Sequence, residues 1–486
     1  MAVQWTEDQQ KVIKLRDRSI LVSAAAGSGK TAVLVERILS KLTDPVHPVP
    51  IDRMLIMTFT RAAAGEMKER IRRSIEQELE RDPENENLQK QLTLIHMAQI
   101  NTIDGFCGWI LRNYFHLIGL DPGYRVAEEG ELELLRQDTI REVLDEFHEE
   151  GSPEYLHMLD CLCRGKSDEN LRGEIDKIYK KAMSDPDPEG WLDKCIDGFD
   201  AADEAELSAL PWMRDLYREA ASELGEAERL FKEALDISRS VEGPYHYEEG
   251  LLDMISYTED LKRFAEAGQF DDIVEYFSQE EFPGLSRKRP KGIDPVKKDR
   301  ALSLKNEAKD ILDDLRKKRF FEPSSRIIET LAASRAPIEM LVKVTRRFME
   351  RFAEEKRERN ILDFTDMEHF ALKILMPKEG EEGGSAAARE LSERFDEVMV
   401  DEYQDSNLVQ EMITGYVSGW VKDRKNIFMV GDVKQSIYRF RLARPELFME
   451  KYHKFSEYDG PEVRINLHKN FRSRPEVLSS VNYIFR

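Results

Sequence analysis

Short apolar runs, several rich in β-branched residues, punctuate the first and last quarters of the chain, at 20–23, 55–58, 100–102, 398–400, 427–430 and 463–467. Each leads into a turn or a helical pattern. After Thr60, for example, Ala64, Met67, Ile71 and Ile75 recur at helical spacing while Lys68, Arg70, Arg72 and Arg73 take the other faces. That alternation predicts an α/β fold, a parallel sheet flanked by helices. Between about 121 and 350 the pattern changes to long amphipathic stretches without obvious strands: Leu132, Leu135, Ile140, Val143, Leu144 and Phe147 are spaced as one helical stripe. A large all-helical domain inserted into an α/β domain is therefore expected, with loops at 184–190 and 380–385, where Gly, Pro and charge accumulate.

A chain of 486 residues exceeds one ordinary domain, so two or three units with proper cores are expected. It holds no run of about eighteen apolar residues and does not begin with a basic segment followed by an apolar one. The reading is a protein without a membrane partner, placed in the cytoplasm. Of the four cysteines, Cys107, Cys161, Cys163 and Cys195, none belongs to a paired CxxC arrangement, and they read as reduced thiols.

The net charge of −22 argues against a nucleic-acid coat protein. The charge is uneven, however: +1 over 1–120, −27 over 121–280, +7 over 281–350 and −3 over 351–486. The acidity sits in one middle block. The basic block contains Arg287, Lys288, Arg289, Lys291, Lys297 and Lys298.

Candidate chemistry begins at Ala24-Ala25-Ala26-Gly27-Ser28-Gly29-Lys30-Thr31, between the first apolar run and a helical pattern. This is P-loop spacing, except that Ala24 stands where the pattern has its first glycine. Small residues let successive backbone N–H groups curl around phosphate oxygens, Lys30 neutralises the β and γ phosphates, and the Thr31 hydroxyl ligates Mg²⁺. A helix starting near Gly29 points its positive end at the anion. The run Val398-Met399-Val400 ends in adjacent acids, Asp401 to hold the metal and Glu402 to orient and deprotonate water. The two elements together predict ATP hydrolysis.

Further segments follow in a characteristic order: Trp5-Thr6-Glu7-Asp8-Gln9; Thr58 to Met67, beginning Thr-Phe-Thr-Arg; Asn101-Thr102-Ile103-Asp104-Gly105-Phe106-Cys107; Asp363-Phe364-Thr365-Asp366-Met367; Asp401-Glu402-Tyr403-Gln404-Asp405; Val430 to Arg441; and Asn470-Phe471-Arg472-Ser473. In this order they resemble superfamily 1 DNA helicases of the UvrD, Rep and PcrA type, at both ends of the chain, while the middle aligns only by position. The stretch 101–130 is most similar to the AddA chains of AddAB-type helicase/nucleases.

The resemblance implies a RecA-like first motor domain split over 1–120 and 351–460, a helical insertion over 121–350, and the start of a second motor domain at 461–486. It implies that Gln9 reads the adenine edge, Phe471 lies against adenine, Arg472 reaches the γ phosphate from the second motor domain and Gln435 senses that phosphate. Thr58, Phe59, Thr60, Arg61, Thr102 and Arg441 would contact single-stranded DNA, with Tyr438 and Phe440 stacking on its bases. Two positions depart from the pattern. Asp104-Gly105 stands where the family usually has His-Ser, which weakens a backbone contact. Phe440 replaces a tryptophan and offers less π surface.

By resemblance the function is ATP-driven 3′ to 5′ movement on single-stranded DNA in double-strand break repair and recombination, with an AddB-type partner completing a heterodimer. The basic block is the candidate duplex contact, and the acidic block faces a partner or solvent. The chain ends just after Arg472, so it is expected to be an N-terminal portion whose nuclease lies elsewhere. The alternatives are a stand-alone UvrD-type repair helicase and a non-motor P-loop switch in a repair complex.

Overall fold

The computed structural model describes residues 4–163, 168–279, 281–288, 290–378, 383–437 and 442–485. The chain forms two compact units, one from 1–142, 176–188 and 348–486, the other from 143–175 and 189–347.

Along the chain the strands are β1 (Ser19–Ala24), β2 (Met54–Thr58), β3 (Gln99–Thr102), β4 (Arg125–Val126), β5 (Ile361–Leu362), β6 (Glu397–Asp401), β7 (Ile427–Gly431) and β8 (Glu462–Leu467). Six of them build the first unit's main sheet, in spatial order β3-β2-β6-β7-β1-β8 with every pairing parallel. A parallel sheet is covered on both faces, so its strands are apolar at consecutive positions. The strand period of two then sorts them. Ile20, Val22, Ile56, Met399, Phe428 and Val430 enter one core, while Leu21, Leu55, Met57, Val398, Val400 and Met429 enter the other. All six expected strands form. The last was expected to open a second motor domain, yet β8 pairs with β1 from Ser19–Glu462 to Ala24–Leu467 and is an edge strand of this same sheet.

A second, two-stranded parallel sheet joins β4 to β5. This ladder, the Arg136–Asp176 ion pair at 3.0 Å and the edge-on packing of Tyr179 on Phe348 and Phe352 bind 121–142, 176–188 and 348–350 to the first unit. The insertion expected over 121–350 is shorter by all three segments. Just past β5, the helix Phe364–Leu375 starts with a capping box between Asp363 and Asp366. Buried Lys356 lies 2.9 Å from Asp363 and 2.6 Å from Asp366, fixing that helix end.

The second unit contains helices and no strand among its described residues. Its longest helix within the unit, Pro211–Arg239, buries Met213, Tyr217, Ala220, Leu224, Ala227 and Phe231 at spacings of three and four, and shares one core with the helices Glu248–Ala267 and Pro295–Lys318. Among the described residues no helix is long and apolar enough to cross a membrane.

Candidate active site

The site gathers at the carboxyl ends of β1, β6 and β7, where open parallel sheets bind ligands. After β1 the chain turns through Gly27 at φ +74° and Gly29 at φ +84° into the helix Lys30–Leu42. Both angles are left-handed, which glycine adopts without steric cost. The Ser28 N–H donates to the Ala25 carbonyl at 3.1 Å, curling the loop. Ser28 is buried, and its hydroxyl oxygen has no hydrogen-bond partner, a polar group aimed nowhere within the protein.

β6 delivers Asp401 and Glu402 opposite this loop. Lys30 Nζ lies 3.0 and 3.1 Å from the two Glu402 carboxylate oxygens. Glu402 has φ +53°, a strained conformation for a residue with a Cβ, at the sharp turn that ends β6. The Glu402 N–H donates to Asp401 Oδ1 at 3.1 Å. Burial, and secondarily the adjacent Glu402 charge, pushes the Asp401 carboxyl up to about 6. A half-buried anion so poorly compensated by its surroundings fits a divalent cation. Among the described residues no group of three or more His, Cys, Asp and Glu side chains converges on a metal position. Thr31 and Asp401 offer one hydroxyl and one carboxylate, the oxygen set that Mg²⁺ takes when phosphates complete its shell.

Gln404 extends the constellation, and no sequence signal beyond its place in the acidic motif singles it out. It is buried; its Nε2 donates to Glu402 Oε2 at 2.9 Å and its Oε1 accepts from the Asp432 N–H at 3.0 Å. A Cβ on Gly431 would stand 2.3 Å from that Oε1, so a side chain at the end of β7 would displace the Gln404 amide. Gln435 Nε2 in turn donates to Asp432 Oδ2 at 2.6 Å. Lys30, Glu402, Gln404, Asp432 and Gln435 thus form one continuous polar chain from the β1 loop to the loop after β7. Tyr438, Phe440 and Arg441, the expected stacking and strand-binding residues, lie outside the described residues, as does Arg439.

The segment after β8 folds back onto the β1 loop. Asn470 Nδ2 donates to the Ala26 carbonyl and the Phe471 N–H to the Gly27 carbonyl, both at 2.8 Å. Asn470 Oδ1 accepts from the N–H groups of Arg472 and Ser473. A Cβ on Gly27 would meet the Asn470 side chain at 2.7 Å, a second reason for glycine there. Phe471 and Arg472 are exposed beside the loop. Gln9 lies behind it, buried, its Nε2 donating to the Ser28 carbonyl at 3.1 Å while its Oε1 accepts from the Thr6 N–H at 3.0 Å. Its position touches the loop, although these bonds engage the amide that was expected to face adenine.

At the other end of the sheet Thr58 and Thr102 are register partners on β2 and β3. Both are buried. The Thr58 hydroxyl donates to the Thr60 carbonyl at 3.1 Å. Thr60 and Thr102 cap the helices Arg61–Arg81 and Ile103–Tyr114 by accepting from Ala63 N–H and Gly105 N–H. Phe59 sits half-buried between Thr58 and Thr60. Arg61, Lys68, His96, Asp104 and Arg112 line a cleft of about 600 Å³ there, with Trp109 and Phe364. Four of these five side chains are basic, the sign that attracts a phosphate backbone.

Residues 5–456 match the UvrD/REP helicase N-terminal domain. The chain is 45% identical, over 99% of its length, to the A-type subunit of an ATP-dependent helicase/nuclease from Lachnoclostridium phytofermentans. It is 40% identical to proteins of the same name from Clostridium perfringens and Bacillus licheniformis, over 100% and 99% of its length. It spans 35%, 38% and 39% of those three relatives.

Proposed function

Since the chain belongs to the UvrD/REP helicase family, we propose that it is the ATP-hydrolysing motor part of a DNA helicase of the AddA kind, moving on single-stranded DNA in the 3′ to 5′ direction and serving double-strand break repair beside a partner protein. The observation that carries this reading is the polar chain from Lys30 through Glu402, Gln404 and Asp432 to Gln435. It joins the phosphate loop to the segment that leads into Tyr438 and Phe440.

Lys30 and the loop N–H groups bind the triphosphate, and an arriving γ phosphate competes with Glu402 for the lysine. That exchange frees the Glu402 carboxylate to take the proton of the attacking water. Thr31 and Asp401 would hold Mg²⁺, which neutralises phosphate charge when bound. Gln404 keeps the carboxylate oriented while Gln435 reads the γ phosphate. Arg472, brought to the loop by the Asn470 clasp, stabilises the charge that spreads over the phosphoryl oxygens. On the strand side, Thr60, Arg61 and the cleft cations hold phosphates.

Single-stranded oligonucleotide added to the full-length protein should raise its ATP turnover about 10- to 100-fold, the size of an ordinary coupling between two sites. A steady-state rate indifferent to DNA would leave only the switch reading.

The basic block gives a separate expectation. Arg287, Lys288 and Lys291 are exposed, whereas Lys297 donates to the Val241 carbonyl at 2.7 Å; Arg289 lies outside the described residues. If the exposed cations meet duplex DNA, replacing Arg287, Lys288, Arg289 and Lys291 with alanine lowers the slope of log K against log salt by about 2 to 4, near 0.9 for each lost phosphate contact. An unchanged slope removes the duplex role.

A further inference from the structure

Glu368 is a buried carboxyl that the mechanism above does not use. It sits on the Phe364–Leu375 helix, 6% exposed, between two helix starts. On one side is the Leu408–Val417 helix, which begins three residues after Asp405. Its capping box sets both amides: Asn407 Oδ1 accepts from the Gln410 N–H at 2.8 Å and Gln410 Oε1 accepts from the Asn407 N–H at 3.3 Å. With their oxygens so occupied, their nitrogens turn to Glu368. Asn407 Nδ2 donates to Oε2 at 3.2 Å and Gln410 Nε2 to Oε1 at 2.6 Å. On the other side is the start of the Ile103–Tyr114 helix, where Asp104 hydrogen-bonds the Glu368 carboxyl.

Two carboxyls in hydrogen-bond contact need a proton between them. Asp104 also lines the basic cleft beside Arg61, Lys68, His96 and Arg112. The remaining ionisable neighbour of Glu368 is the buried Cys107 thiol, which burial and both carboxyls push up. Other charges on the same and adjoining helices are engaged elsewhere: Asp366 with Lys356, His369 with the Met183 carbonyl, and Glu411 with Tyr403 and Lys451.

We propose that Glu368 is a positioning residue of the motor, sharing a proton with Asp104 so that the strand cleft is fastened to the helix following the catalytic acids and its charge is set by that proton. The inference rests on the reading of the cleft as a single-strand groove. Asp104 stands where the resembled family usually has a histidine, so the pair belongs to this chain's own departure from the pattern.

The pH dependence follows in sign. Burial first, and the Asp104 charge second, push Glu368 up to about 7. Below that pH the pair carries one negative charge; above it, two. Strand affinity therefore falls as pH rises through about 7. The size is about threefold, as expected for one added charge near phosphates at moderate ionic strength.

The test is fluorescence anisotropy of a labelled oligo-dT with the full-length protein from pH 6 to 8.5 at constant ionic strength, comparing wild type, Glu368→Gln and Asp104→Asn. Wild type should lose about threefold more affinity across the range than Glu368→Gln, which fixes the charge of the pair, and in Asp104→Asn the fall should move to lower pH, because burial still raises Glu368 while the neighbouring charge is gone. Parallel profiles for wild type and both variants overturn the shared-proton role while leaving the groove in place. Absence of binding by wild type at every pH overturns the groove reading, and this inference with it.

Discussion

Glu402→Gln should abolish nearly all ATP turnover while nucleotide affinity stays within a fewfold of wild type. The substitution keeps the shape of the side chain and retains an oxygen able to accept from Gln404 Nε2, which lies 2.9 Å from Oε2 in the native site. It removes the base. Proton transfer to a positioned carboxylate contributes about a hundred- to ten-thousand-fold in rate, and a loss in that range is expected. Affinity should not suffer in parallel. Glu402 competes with phosphate for Lys30, which it holds at 3.0 Å, and its charge raises the Asp401 carboxyl. Losing that charge frees the lysine and leaves Asp401 a better anion for a metal. Steady-state hydrolysis with equilibrium binding of a fluorescent nucleotide separates the two effects. Turnover reduced less than tenfold would take Glu402 out of the base role, and a parallel collapse of affinity would make it a binding residue instead.

The parts of this site written in the sequence are those whose chemistry is local. β1, β6 and β7 are continuous apolar runs because both sheet faces are covered, and Gly27 and Gly29 announce a loop because only glycine takes those angles cheaply. Thr60 and Thr102 read as strand contacts by resemblance. The structure gives each a helix to cap, a local use that the same residue type serves equally well.

What stayed hidden depends on distant partners. Gln404 meets Asp432 across 28 positions and Asn470 meets Ala26 across 444, and no spacing rule reaches that far. The two-residue ladder of β4 and β5 is too short to leave a periodic signal, yet it draws both its strands to the first unit and so shrinks the insertion. Asp104 shows the opposite case. As a departure from a pattern it reads as a weakened contact, and only its buried neighbour Glu368 reveals a use for the carboxylate.

The largest stability effect is expected at Glu397, at the start of β6, a strand that carries no chemistry until its far end. Arg37 and Lys41 lie on the phosphate-loop helix, buried at 1% and 6% exposure, and Glu397 at 4%. Arg37 Nε donates to Glu397 Oε1 at 2.8 Å, Lys41 pairs with Oε2, and Arg37 Nη1 donates to the Val12 and Leu15 carbonyls at 2.6 and 2.8 Å. One acid thereby fastens three elements: the Glu7–Lys14 helix bearing Gln9, the helix bearing Lys30, and the strand bearing Asp401. Two cations share a single buried anion, and desolvation holds the Lys41 ammonium below its ordinary value.

Glu397→Ala strips both cations of their partner at once. Breaking a buried pair from one side costs about 3 to 5 kcal/mol, because the surviving charge remains dehydrated. Against a domain stability of about 5 to 15 kcal/mol that is a large fraction. Chemical denaturation should show a lower midpoint with an unchanged slope. Replacing Arg37, Lys41 and Glu397 together by Met, Leu and Met should recover most of the loss, since an apolar cluster of like volume incurs no desolvation cost. A single Glu397→Ala effect below about 1 kcal/mol, the range of exposed pairs, would mean that water reaches the cluster and that the clamp is a surface feature.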